Sequence, residues 1–346
     1  MGVTGANGQP VATRLHLERK VRRVGAWRDA LGRNSVYMIF LLLVIVSAQV
    51  SPAFLTWTNI ANLLRQASYI GLVATGMTFV ILSGGIDLSV GATVAVSGVL
   101  LAYLFHWGGY KGYVVTLSPA MPDPLIVITA LASGAVVGLV NGFLIAKAQI
   151  PAFVATLATM VSIRGVAYML AGGRTIFGLG ESLSVFGFGN LGRLPVPVAI
   201  WIACLLVSAF VLKRTVFGRW VYAVGGDEDS ARLSGINCDR HKILVYVIAG
   251  AFAALAGILM ACRIDQGEPR QGELFELDAI AAVVIGGTSL SGGRGGVTGT
   301  AVGVLILTLI TNVLNLVGVH PFPQRIVKGI IILGGVFLQR WLASRS

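Results

Sequence analysis

Long apolar runs, separated by short polar, glycine- or proline-marked breaks, fill most of the chain. A bilayer-spanning helix needs about 20 mostly apolar residues. Ten runs meet or approach that length, near 36–56, 66–83, 86–105, 125–147, 150–171, 195–213, 242–262, 275–290, 297–318 and 323–340. They predict an all-α, polytopic integral membrane protein of about ten transmembrane helices. Two of them, 66–83 and 275–290, end at glycine-rich breaks and read as partial spans.

Basic residues orient these runs. Seven lysines and arginines (Arg14, Arg19, Lys20, Arg22, Arg23, Arg28, Arg33) stand in the first 35 residues and six more in the loop 213–242. Such clusters stay on the cytoplasmic side, and with ten spans both termini are then expected there. In the tail 1–35, Leu17, Val21, Val24, Trp27 and Leu31 recur at helical spacing among arginines, which predicts an amphipathic helix on the inner membrane surface. No small-residue cleavage site follows an early apolar core, so the tail is not expected to be a cleavable signal peptide. The transmembrane domain is expected over 36–346.

Composition agrees with this picture: the 346 residues are 55% hydrophobic and 12% charged, with 45 glycines. The net charge of +12 reflects topology and attraction to anionic lipid, since no aromatics interleave with the basic clusters as a nucleic-acid surface requires. Cys204, Cys238 and Cys262 are widely spaced, and His16, His106, His241 and His320 are scattered. Neither set has metal-ligand or disulfide spacing, so no metal is expected.

One motif occurs twice. Residues 84–91 read GGIDLSVG and residues 286–293 read GGTSLSGG, identical at five of eight positions, which points to an internal repeat. Six predicted spans separate the copies, so they should share one orientation. Irregular backbone at membrane depth survives only inside protein or beside water, making both copies candidate broken-helix segments near a pathway; close helix packing through glycine is the alternative.

Three carboxylates adjoin membrane-depth sequence: Asp87, Glu276 and Asp278. A charge at depth needs a partner or a cavity, and Arg164 and Lys328 are the candidate partners of Asp87. Asp87 also fits the N-cap of a following helix, and the two roles are compatible. Glu276 and Asp278 suit the positive end of a helix that starts beside them.

The segment FGRWVYAVGGDEDSARLSGINCDRH, 217–241, encodes a short helix in the basic loop. Asp227 or Asp229 can cap it, Glu228 suits its dipole, Ser230 to Leu233 continue it, and Gly235 stops it. With Leu233 and Ile236 presented outward, it reads as a docking element.

GGIDLSVG, then NGFLIAKAQIPAFVATLATM (141–160), AVGGDEDSARLSGIN (223–237) and ELDAIAAVVIGGTSLSGGRGG (276–296), in this order, resemble the permeases of ribose/galactose/xylose-type ABC importers. The likeness covers residues 36 to 340. It implies a multi-pass protein of the bacterial inner membrane, working with a cytoplasmic ABC ATPase, an extracytoplasmic sugar-binding protein and a second permease subunit, identical or sister. It implies that Asp229, Ser230, Ala231, Arg232, Leu233, Ser234 and Gly235 form the coupling helix seated in the ATPase. It also implies that Gly84 to Asp87 and Gly286 to Gly293 lie near the translocation path. Relatives that carry oligosaccharides have an EAA loop with a downstream proline, of which this chain keeps only Glu228, Ala231 and Gly235.

A monosaccharide path should be weakly polar and rich in hydroxyls. Ser83, Asn141, Thr156, Thr159 and Ser289 are candidates for lining it beside Gly84, Gly85, Asp87, Gly286 and Gly287, with Phe153 able to stack on a sugar face. The Walker pattern GxxxxGK[ST] is absent, and GGRGGVTGT at 292–300 lacks its lysine, so no cofactor is expected in this chain and ATP belongs to the partner. No carboxylate pair or nucleophile–base arrangement suggests an enzyme. The rival reading is an ion-coupled secondary transporter using Asp87.

Overall fold

The structure is a computed structural model that describes residues 36–106 and 121–343; the predicted amphipathic helix of the tail lies outside the described residues. Each of the ten apolar runs meets a helix. These are α1 (Val36–Val50), α2 (Trp57–Leu82), α3 (Val90–Phe105), α4 (Asp123–Ala146), α5 (Ala152–Leu170), α7 (Val196–Arg214), α10 (Cys238–Ile264), α11 (Phe275–Ile285), α12 (Val297–Leu316) and α13 (Pro321–Ala343). Three shorter helices complete the set: α6 (Gly180–Phe188), α8 (Val216–Gly226) and α9 (Glu228–Leu233). By length and composition, α4, α5, α7, α10 and α12 are each able to cross a membrane. Two antiparallel two-residue pairings, β1 (Ile176–Phe177) with β4 (Gln266–Gly267) and β2 (Asn190–Leu191) with β3 (Leu194–Pro195), tie connecting segments together.

Two runs differ from expectation and a third, 275–290, is the partial span expected. The run 66–83 is not partial: α2 starts at Trp57, where Thr56 caps it by accepting from the Asn59 amide. The run 86–105 forms helix only from Val90, and the run 275–290 only as far as Ile285. At 1.5 Å per residue, the 11-residue α11 is about 16 Å long against a hydrocarbon core of about 30 Å.

The bundle is built around α10, which packs on α2, α3 and α4. Small residues permit this: a Cβ added at Gly134 would lie 2.2 Å from the Gly250 carbonyl oxygen, and one added at Gly138 would lie 2.1 Å from that of Tyr246. Association of helices in lipid relies on such close approach, because burying apolar area against other apolar groups gains little there. The principal core joins α2, α10, α11 and α12 through residues such as Met77, Ile81, Tyr246, Leu259 and Val283.

Heights along α10 show where the irregular segments run. Ile86 is level with Tyr246, whose hydroxyl donates to its carbonyl at 3.0 Å, whereas Val94 abuts Gly257. Those two α10 residues are about 16 Å apart along the helix axis, so residues 86–89 climb into the bundle before α3 begins.

Candidate functional site

The two copies of the glycine motif meet at the end of the bundle that carries α8 and α9. The Gly293 amide donates to the Leu82 carbonyl at 2.9 Å. Each copy closes the preceding helix in the same way, with a glycine in the left-handed region and an amide reaching five residues back. Gly84 (φ 80°) is followed by Gly85, which bonds Val80; Gly287 (φ 86°) is followed by Thr288, which bonds Val283. This is the Schellman arrangement. It equates Gly84 with Gly287, one residue off the register that identity alone gives.

Beyond the caps the copies diverge. The first climbs inward to α3, while 286–296 remains a turn between α11 and α12, so it is not the second half's broken segment. That role falls to 266–274. This stretch descends along α3 from Ala102 and Val99, which Gly267 touches, to Gly91 and Val94, which Gly272 touches. Here α11 begins. A Cβ added at Gly91 would lie 2.2 Å from Glu276 Oε2, so the first turns of α3 and α11 meet inside the bundle. From that point α3 rises toward β1 and β4, and α11 runs back to the turn that bonds Leu82. Two part-length helices therefore point their positive ends at one region, the device by which transporters face polar cargo at membrane depth.

Asp87 occupies this region, but not as the predicted cap. The N-cap of α3 is Ser89. Asp87, 1% exposed, accepts from the Ser89 amide at 2.8 Å and the Ser89 hydroxyl at 2.7 Å, an Asx-type turn that leads into the helix. Ser89 Oγ in turn accepts from Asn141 Nδ2 at 2.8 Å. The two proposed charge partners are engaged elsewhere. Arg164 Nη1 donates to the carbonyls of Pro269 and Gln271, both at 2.8 Å, and Lys328 pairs with Asp278 at 2.8 Å. Asparagine at position 87 preserves both acceptor bonds, so Asp87→Asn is expected to keep thermal stability within about 1 kcal/mol, whereas Asp87→Ala should cost about 2–3 kcal/mol. A denaturant or thermal series on purified protein measures the difference; equal losses would assign the stabilisation to charge.

The other sequence candidates fall into three places. Asn141 joins Asp87. Ser83, Gly84, Gly85, Gly286, Gly287 and Ser289 sit at the paired turns, where the Ser83 hydroxyl bonds the Val80 carbonyl and Ser289 Oγ accepts from the Ser291 amide. Thr156 and Thr159 bond within α5, to the Ala152 and Ala155 carbonyls, and Phe153, 57% exposed, lies apart from Asp87 near the start of the same helix. Sequence reasoning missed Arg164, Gln271 and Glu276 as a group. Gln271 is 4% exposed, and neither polar atom of its amide has a partner among the described residues; Glu276 Oε2 is likewise unpaired there. The available signal was a charged stretch, IDQGEPRQGELFELD, followed by an apolar run too short to span.

The cap and the stop of α9 follow the sequence reading, but of the two residues expected to face outward only Leu233 does: Ile236, beyond the Gly235 turn, folds back against Val224, Ala231 and Cys238. Asp227 caps the helix by accepting from the Ser230 amide at 2.8 Å, and Gly235 (φ 85°) ends it. Arg232 pairs with Glu228 at 3.2 Å and Asp239 at 2.8 Å, Lys242 pairs with Glu228, and Lys147 pairs with Asp239 at 2.9 Å. Two of these pairs, Arg232–Asp239 and Lys242–Glu228, tie α9 to the start of α10, and Lys147–Asp239 ties that same start to the end of α4. Leu233 points away from the bundle, 90% exposed.

Residues 59–336 match a family described as the permease component of branched-chain amino acid transport systems. The ribose import permease protein of Bacillus subtilis is 44% identical over 330 residues, 94% of this chain and 95% of the relative. The ribose import permease protein of Escherichia coli K12 is 42% identical over 88% of this chain and 92% of the relative. The L-arabinose transport system permease protein of the same organism is 38% identical over 88% and 89%. No solved structure matches the chain. A helical bundle with two part-length helices meeting at depth, matched over most of its length to import permeases, belongs to the permease-component family of ABC importers.

Proposed function

We propose that this chain is the membrane-spanning subunit of a bacterial inner-membrane importer for a monosaccharide, with both termini cytoplasmic. It works with a separate cytoplasmic ABC ATPase, an extracytoplasmic sugar-binding protein and a second permease subunit. The observation that carries the reading is α9: a capped helix, tied to the start of α10 by two ion pairs, that projects Leu233 away from the bundle. A leucine this exposed serves a partner better than it serves the bundle. Residues 229–235 would seat in the ATPase, and the bracing would carry its movement to α4 and α10.

The sugar path is assigned to the region where α3 and α11 begin, lined by Asp87, Asn141, Glu276 and the segment 266–274. The names of the relatives, which include ribose, arabinose and galactose permeases, favour a pentose or hexose. Cargo moves by binding and gating, with no bond made or broken in it.

Co-expression with candidate ATPases tests the docking assignment. Leu233→Asp places a charge at the centre of the contact and is expected to weaken ATPase association at least about tenfold, with the permease itself as stable as the parent because Leu233 packs on nothing. Retained association and retained ATP-driven uptake would refute the assignment.

A further inference from the structure

The segment 266–274 carries more polar chemistry than a structural connection requires. Its backbone descends beside α3 without forming a helix, and such backbone persists at membrane depth only against protein or beside water. One side meets the first condition: Gln271 is buried against Gly98, and Arg164 on α5 clamps the Pro269 and Gln271 carbonyls. The other side bears Arg270 and Glu273, both exposed. With Arg164 and Tyr168 they line a cavity of about 370 Å³, within the range of about 300–1,000 Å³ typical of small-molecule sites. Charged groups on a segment that reaches this depth do not face hydrocarbon, so the cavity faces an aqueous path.

We propose that this cavity is a contact site for a neutral polyhydroxylated ligand, the sugar in transit; the assignment rests on the importer reading above. A sugar hydroxyl both donates and accepts. The cavity offers both complements side by side: guanidinium donors on Arg164 and Arg270, a carboxylate acceptor on Glu273, and the Tyr168 hydroxyl, which accepts from Arg270 Nε at 3.4 Å. Donors and an acceptor set this close together match vicinal hydroxyls, each of which both donates and accepts. Arg164 is already fixed by two carbonyls, so little ordering is needed when a ligand arrives. Behind the segment, the unpaired Gln271 amide is a buried polar group that gains by any shift bringing it to a ligand.

The test uses the whole importer, permease with ATPase and binding protein, in proteoliposomes, with D-ribose, L-arabinose and D-galactose as probes. Whichever sugar the wild-type complex moves is carried forward. Glu273→Ala is expected to lower maximal uptake of that sugar about tenfold, from loss of a charged hydrogen-bond partner. Binding-protein-stimulated ATP hydrolysis should stay within about twofold of wild type, and Glu273→Gln should recover part of the loss. Glu273 is exposed, so neither variant should alter thermal stability. Uptake unchanged in Glu273→Ala, or uptake and hydrolysis falling together, would overturn the assignment while leaving the importer reading intact. A wild-type complex that hydrolyses ATP yet moves none of the three sugars would overturn the monosaccharide reading and this site with it.

Discussion

Gly225→Ala is expected to lower ATP-driven uptake at least about tenfold, while Gly226→Ala, one residue on, leaves uptake within about twofold. The two glycines end α8, immediately before the cap of α9, but their surroundings differ. A Cβ added at Gly225 would lie 1.8 Å from the Leu82 carbonyl oxygen and 2.9 Å from the Gly293 amide nitrogen, the two atoms that join the paired turns; one added at Gly226 meets nothing within 4 Å. Backbone, unlike the end of a side chain, cannot swing aside, so alanine at 225 must push the turns apart or push α8 away from them. Gly292 closes the other side, where an added Cβ would lie 2.5 Å from the Gly225 carbonyl oxygen, and the Tyr222 hydroxyl donates to the Gly295 carbonyl at 3.0 Å. The elbow between α8 and α9 is thus in contact with the turn that leads to α3 and with the turn that follows α11. A displacement of α9 would reach both part-length helices through this junction. Uptake and ATP hydrolysis measured together in proteoliposomes distinguish coupling from folding: Gly225→Ala should hydrolyse ATP without proportional uptake. Tyr222→Phe, which removes a bond without adding bulk, should show a weaker form of the same uncoupling. Equal effects from the two alanine substitutions would show that the junction transmits nothing specific.

Much of this architecture was legible in the residues. Apolar length located the ten long runs, because bilayer thickness dictates how many consecutive apolar residues a crossing requires; the short α6 and α8 carry no such run and were missed. The cap at Asp227 and the stop at Gly235 were legible because capping is local chemistry. What escaped was whatever depended on depth or on partners far apart in sequence. Nothing in IDQGEPRQGELFELD distinguishes an outlying polar stretch from one folded back along α3; that is decided by contacts with Gly91, Val94 and Gly98, roughly 170 residues earlier. The partners of Asp87 were misassigned for the same reason. Charge alone nominates Arg164 and Lys328, but a carboxylate two residues ahead of a serine amide is satisfied locally before any long-range pair is needed. Both copies of the glycine motif cap a helix that ends at the same face, though one residue off the register that their identity gives. The motif's extension to a second broken segment failed because a cap specifies how a helix ends and not where the chain goes next.

The misassigned Lys328 leads to the second large effect. It joins α13 to the first turn of α11 through Asp278, with side chains 29% and 11% exposed. Asp278→Asn or Lys328→Met leaves the remaining charge without a counter-ion in a poorly solvated site, and removing one partner of such a pair costs about 3–5 kcal/mol. For a domain of this size that corresponds to a melting point lower by about 6–12 °C, with uptake lost as α11 detaches from α13. Replacing both by leucine removes the uncompensated charge and should return most of the stability, because ion pairs of this kind are close to neutral against an apolar pair. A charge exchange, Asp278→Lys with Lys328→Asp, separates two roles of Asp278. It restores the pair but places an ammonium at the positive end of α11, where an acidic residue is favoured by about 0.3–1 kcal/mol and a basic one is opposed. The exchanged protein should therefore melt between the single variants and wild type. Melting at the wild-type temperature would assign the whole effect to the pair, and melting with the single variants would place it in the helix terminus, where the first turn of α11 faces the start of α3.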